Sequence, residues 1–249
     1  MLPYSQTRSG SPHLDLIQMY PDDSIQGLVG EWWVENKARD FRRGRLVFAY
    51  LPHVSQIPNE LIIRGRKDPL AHDTCEFEIR PLRISERRPA VSLPVAAMPP
   101  YSGERYGVYR VKRRPAIVVC SGGQDIPEEL RQGSPRYQTA PSVLVIPAYG
   151  VDRDGSRSGY PNELVRRIRR CEYPQYLWDK LPIRLIGESI LRFDHLQPVG
   201  QHHQSLEFTD YVLSPDALLI VDEWLTWLIT GELPANGILG DLREDLLKL

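Results

Sequence analysis

Short apolar runs, each stopped by Pro or Gly, set the pattern of this chain. Leu46-Val47-Phe48-Ala49-Tyr50-Leu51 ends at Pro52, the run Ala116–Cys120 ends at Gly122-Gly123, and Val143-Leu144-Val145-Ile146 ends at Pro147. Runs this short and this rich in β-branched residues predict buried strands. Cys75–Ile84 alternates instead, with Cys75, Phe77 and Ile79 set against Glu76, Glu78 and Arg80. That period predicts a half-buried strand, with Leu61–Arg64 as a further candidate before it. Tyr106–Val111 reads as a strand leading into the Ala116 run. Ile183–Ile186 and Ser189–Leu196 read as a last pair of strands, or a strand and a turn.

Helical signals are fewer. Ser214-Pro215-Asp216 combines an N-cap, a first-turn proline and a dipole-matching acid, and Gly231 supplies the stop. Between them, Leu218 to Ile229 are apolar around most of the circumference, so this helix must be covered on several sides. A second short helix is expected at the end of the chain, with Asp241 as its cap and Glu244 three residues on. Asn162–Cys171 predicts a helix with Leu164, Val165 and Ile168 on one side. One or two turns fit residues 126–133, and a short helix or two fits residues 13–40. Residues 1–12 are polar, residues 89–103 are Pro-rich, and Gly150–Gly159 is a loop rich in Asp, Gly and Ser.

The 22 prolines in 249 residues forbid a helical bundle and favour short strands joined by turns. No apolar run approaches the roughly 20 residues of a membrane-spanning helix. A secretory leader pattern is missing, and Cys75, Cys120 and Cys171 are too scattered for a disulfide scaffold. A soluble, cytoplasmic protein is expected. The net charge of −1 hides an asymmetry: residues 42–114 carry 15 basic against 7 acidic side chains, and residues 205–249 carry 2 against 9. Only Lys67 and Lys112 are lysines in the basic stretch, and guanidinium forks suit phosphate and base recognition. Either the basic middle binds a polyanion, or the acidic tail folds over a basic face of its own chain or of a partner.

Four blocks in order resemble the MazF/PemK/Kid family of toxin endoribonucleases, whose SH3-like barrel is shared with the CcdB gyrase poisons. They are Gly44-Arg45-Leu46-Val47-Phe48, then Arg113-Arg114-Pro115-Ala116-Ile117-Val118-Val119, then Val143-Leu144-Val145-Ile146-Pro147, and last Glu188 to Leu196 with Ser189 and Asp194. The likeness covers about residues 43–52 and 106–200. It implies a mainly β, α+β fold: a small barrel of the MazF/CcdB type with a long inserted loop and a helical C-terminal extension. The implied divisions are an N-terminal extension at 1–40, a barrel domain at 41–200 interrupted by an insertion at 53–105, and an acidic helical segment at 201–249. The chain departs from the family after the third strand, where Ala148-Tyr149 replace the usual Thr or Ser.

The resemblance implies cleavage of single-stranded RNA with no metal and no cofactor. Such chemistry needs a 2′-hydroxyl deprotonated, the phosphate charge stabilised and the 5′-oxygen protonated. Arg114 would stand beside the scissile phosphate, and Tyr149 would replace the missing hydroxyl donor. The two are expected on one concave, Arg-lined surface. Arg113, Arg153, Arg166, Arg167 and Arg170 are the RNA-binding candidates, and Asp152, His53 and His72 could assist. His195, His202 and His203 with Asp194 do not have the spacing of a tetrahedral metal site, and Gly122-Gly123 reads as a turn. A second reading keeps the barrel without cleavage. In that version Trp224, Trp227 and Leu228 dock a protein partner such as an antitoxin, a sigma-type factor or a protease. A third reading, a gyrase-poison-like inhibitor, rests on the shared barrel and the same tryptophans. A homodimer is possible under any of them.

Overall fold

A computed structural model describes residues 20–68, 70–71, 74–85, 103–134, 138–152, 159–184, 186–202 and 204–249. The protein is mainly β with several helices, and its antiparallel sheet is curled. Two compact units are each discontinuous in sequence. Unit 1 gathers Met1–Lys37, Ala148–Asp194 and Asp210–Leu249, and unit 2 gathers Ala38–Pro147 and His195–Thr209. Composition shifts along the chain cannot reveal such an interleaving.

Unit 2 is built on the apolar runs. Strand β2 (Arg45–Pro52) pairs antiparallel with β6 (Val111–Cys120), and β6 pairs with β7 (Ser142–Gly150) through Ala116–Pro147 to Cys120–Leu144. On the outer side of β7 lies β10 (Gln197–Gly200), and beyond β2 lies the first half of β11 (Leu206–Leu213). The core of this sheet is Val47, Ala49, Leu51, Ala116, Val118, Val143, Val145 and Leu206. Pro115 does not split β6 as its ring suggests it should. It opposes Phe48 of β2, and the pairing with β7 begins only at Ala116, so the absent N–H falls where no second partner needs it.

Unit 2 also holds a three-stranded sheet in the order β4 (Glu76–Pro81), β3 (Asn59–Gly65), β5 (Tyr106–Val108), the last strand lying just beyond the 53–105 segment. One face carries the cross-strand ion pairs Arg80–Glu60 and Arg64–Glu78. The other carries Leu61 opposite Ile79, and Ile63 opposite Phe77. A 3-10 turn at Glu128–Arg131 fits the short helical segment expected there.

Unit 1 holds the helices. These are α1 (Ile25–Leu28), α2 (Asn162–Arg169), α3 (Pro215–Thr230) and α4 (Ile238–Lys248). The last residues of β7 pair with β9 (Glu188–Arg192), which pairs with β8 (Tyr176–Lys180), while β1 (Trp33–Glu35) pairs with the second half of β11. Val165 and Ile168 of α2 pack on Trp178 and Ile190. The signals around α3 act as expected: Ser214 Oγ accepts from the Ala217 N–H at 3.2 Å, and Gly231 closes the helix at φ 79°. The start of α4 corrects the sequence reading, because Gly237 is the N-cap and Asp241 lies inside the first turn. The capping oxygens come from α3, where the Glu223 carboxylate accepts from Ile238 N (3.2 Å) and Leu239 N (2.8 Å). A Cβ at 237 would come within 2.5 Å of that carboxylate, so a larger residue would push the capping group aside.

Of the two readings of the last segments, a strand and a turn is the one observed: Ile186 N–H donates to the Ile183 carbonyl at 3.2 Å, and β9 pairs with Tyr176–Lys180, which was unassigned from sequence. The segment 206–213, unassigned from sequence, is the strand shared by both units. Among the described residues no helix is long and apolar enough to cross a membrane.

Candidate functional site

Arg114 lies on β6 in unit 2, half-buried, directly opposite Ala49 of β2. Residues opposite each other in a ladder share a face, and so do alternate residues along a strand. The face that begins as apolar core at Val47, Ala49 and Ala116 therefore continues into Arg114 and Lys112, with Lys112 opposite Leu51. Arg110 takes the next step of the same alternation, two residues before Lys112. His53 follows β2 there, its backbone N–H donating to the Arg110 carbonyl at 3.0 Å. The result is a row of three cations with an imidazole beside it. Burial lowers the His53 pKa first, and the charges of Arg114, Arg110 and Lys112 lower it further. Among the described residues neither Arg110 nor Lys112 has a carboxylate partner, whereas Arg42, Arg45, Arg64, Arg80, Arg105 and Arg113 of unit 2 each have one.

Arg113 points to the opposite face of the same strand. Its guanidinium lies 3.8 Å over the Phe48 ring and pairs with Glu207. The tandem Arg113-Arg114 is therefore split between two surfaces.

Tyr149, at the end of β7, belongs to unit 1. Its ring is 5.8 Å from the Arg192 guanidinium, which also lies 4.9 Å from Tyr176 and is gripped by Asp194 at 2.7 and 2.6 Å. The Asp194 hydrogen bonds are the main cause raising the Arg192 pKa. That Arg192, Asp194 and Tyr176 meet Tyr149 was not expected from the sequence, because their meeting depends on the β7–β9–β8 pairing. The position that carries Thr or Ser in the resembled family is thus held by a phenol within a cation–π cluster.

The α2 arginines are largely matched to acids near them. Arg166 pairs with Glu163 at 2.8 Å, and Arg167 pairs with Glu172 at 2.6 Å and lies over Tyr173. Arg170 follows the helix and is half-buried. Arg153 and His72 lie outside the described residues.

Trp224 and Trp227 are brought together in α3, 5.6 Å apart, and both are buried. The Trp224 ring also meets Phe193, and its Nε1 donates to the Pro174 carbonyl at 2.7 Å. Leu228 is half-buried. The apolar side chains α3 leaves exposed are Leu219 and Ile229.

The most displaced carboxyl is one the sequence did not mark. Asp179 of β8 is fully buried in unit 1, and its Oδ2 accepts from Trp33 Nε1 (3.0 Å) and Trp32 Nε1 (3.3 Å) while Tyr20 donates to Oδ1 (3.1 Å). Burial pushes its pKa up to about 8, and the donors pull the other way. This box ties residues 20–36 to β8 and is structural. The pair of Ser205 Oγ and His202 Nε2, 2.5 Å apart, closes the turn in which Ser205 N–H donates to the His202 carbonyl. No family model, curated protein or solved structure matches the chain.

Proposed function

We propose that this chain is an RNA-binding protein of the MazF type that cleaves single-stranded RNA without a metal. The observation that carries the reading is the cation row Arg110, Lys112 and Arg114 beside His53. Steps of about 7 Å between alternate residues suit the repeated charges of an extended phosphate backbone. Arg114, at the apolar end of the row, is half-buried, where a cation acts more strongly on charge developing at a phosphate than it does in bulk water. In this reading the β2, β6 and β7 blocks belong to an SH3-like barrel of the MazF/CcdB type. Antiparallel pairing of β2 with β6, of β6 with β7, and of the end of β7 with β9 supports it.

Cleavage would place the Arg114 guanidinium on the non-bridging oxygens of the scissile phosphate. One observation favours a second reading in which binding survives and cleavage does not. Tyr149 is packed against Arg192, itself held by Asp194, and a phenol so packed is not free to follow a reacting phosphate. The chain would then regulate through a protein partner, for which exposed Leu219 and Ile229 of α3 are better contacts than the buried tryptophans.

The test is incubation of the full chain with a mixed single-stranded RNA pool in EDTA, wild type beside Arg114→Ala. Cleavage that disappears in the variant supports the enzyme. Salt-sensitive binding without cleavage supports the second reading, and neither binding nor cleavage refutes both.

A further inference from the structure

We infer that the end of the β2–β6 pair is an oxyanion site whose filling is coupled to the protonation of His53, so that a phosphate group enters together with one proton. The inference rests on the RNA reading only for the identity of the natural anion; the coupling follows from the groups that face one another. Arg110, Lys112 and Arg114 are alternate residues of one strand face, and the hydrogen bond from His53 N–H to the Arg110 carbonyl sets the imidazole at the open end of that face. Among the described residues, burial acts first on His53, and the charges that act on it are these three cations. Arg113 faces the other way and is neutralised by Glu207. In the empty site a fourth positive charge is therefore disfavoured, and the imidazole stays neutral with a single N–H to offer.

An oxyanion reverses the balance. Its charge offsets the three cations and favours imidazolium, which presents two N–H donors. No covalent step is involved; the proton comes from the solvent and leaves with the anion. A device of this kind makes binding tighten in acid although the permanent cations do not titrate.

The experiment is titration calorimetry of the full chain with inorganic phosphate, and separately with a short single-stranded oligonucleotide, in two buffers of different ionisation heat near neutral pH. Proton uptake between zero and one per site is expected. Affinity for the oligonucleotide, whose phosphodiesters do not titrate in this range, should rise by up to tenfold per pH unit as pH falls from about 8 to about 6; for inorganic phosphate, which itself protonates near neutral pH, the coupling is read as the difference from His53→Gln. His53→Gln should bind more weakly, take up no proton with the oligonucleotide, and take up less than the wild type with phosphate. The imidazole resonances of the wild type should titrate at higher pH once the site is saturated with phosphate, a readout that needs no variant. Oligonucleotide binding with no proton uptake, or equal uptake by His53→Gln, overturns the coupling and leaves the RNA reading standing. Proton-linked binding of phosphate with the oligonucleotide ignored upholds the coupling and fails the RNA reading. Binding of neither overturns both.

Discussion

Replacing Asp179 by Asn tests whether a proton sits inside unit 1. The Tyr20 hydroxyl lies 3.1 Å from Asp179 Oδ1 and 3.3 Å from the Lys180 carbonyl, and one phenolic proton cannot serve both acceptors fully. A neutral carboxyl resolves the conflict: its O–H donates to the Tyr20 oxygen, Tyr20 donates to Lys180, and Oδ2 still accepts from both indoles. Burial raises the folded pKa from 3.8 to about 8. Between those values the folded chain keeps a proton that the unfolded chain has released, so stability from this group falls as pH rises. The contribution is fully present below the ordinary aspartate value, declines at up to about 1.4 kcal/mol per pH unit, and levels off above about pH 8. From about pH 6 to about pH 8 the loss comes to about 2 kcal/mol, or on the order of 5 °C in melting temperature for a chain of this size. Thermal melts followed by tryptophan fluorescence would measure it. Asp179→Asn keeps the acceptor for the indoles and supplies a fixed donor to Tyr20, so it should fold with a flatter pH profile than the wild type. Equal slopes in the two proteins, or a wild type that gains on the variant as pH rises, would refute the proton.

Two other substitutions test local physics. Glu223→Ala removes both acceptors from the first turn of α4 and should cost about 1–2 kcal/mol in urea unfolding, with the loss confined to unit 1; no change would mean that solvent caps α4 equally well. Gly122→Ala puts a Cβ at 2.1 Å from the Ser142 carbonyl oxygen at φ 84°, and should lower stability by roughly 2 kcal/mol or more by the same assay, while Gly123→Ala, with no atom in its way, should cost less. For the regulatory reading, Leu219→Asp or Ile229→Asp should abolish partner capture without unfolding the chain. Truncation at Leu213 cannot serve that purpose, because it would remove the buried Trp224, Trp227 and Leu246 from unit 1.

Much of the sheet was legible because β2, the second half of β6, and β7 are short, largely buried apolar runs bounded by Pro or Gly. The boundaries of α3 were legible because Ser214 and Gly231 act through their own neighbours. By contrast, β8 was missed because Tyr-Leu-Trp-Asp-Lys hides its strand character behind a charged residue. Asp179 is tolerated there only because Tyr20, Trp32 and Trp33, over 140 positions away, supply its donors. The α4 cap was misassigned for the same reason, since Glu223 reaches it through tertiary packing. At the candidate site, sequence drew attention to the adjacent pair Arg113-Arg114. Strand geometry separates neighbours and unites alternates, so Arg114 is grouped with Lys112 and Arg110 while Arg113 turns to Glu207. The cluster of Tyr149 with Arg192 and Tyr176 needed the ladder register and could not be read from spacing alone.

The most direct measurement is the affinity of the full chain for a single-stranded oligonucleotide across a range of salt concentrations, for wild type, Arg110→Ala, Lys112→Ala and Arg114→Ala, with Arg113→Ala as the opposite-face control. Each residue lost from the row should weaken binding and flatten the plot of log K against log salt by about 0.7, and Arg113→Ala should leave the slope near that of the wild type. Slopes unchanged by the row variants and flattened by Arg113→Ala would put the nucleic acid on the other face of β6 and contradict the account.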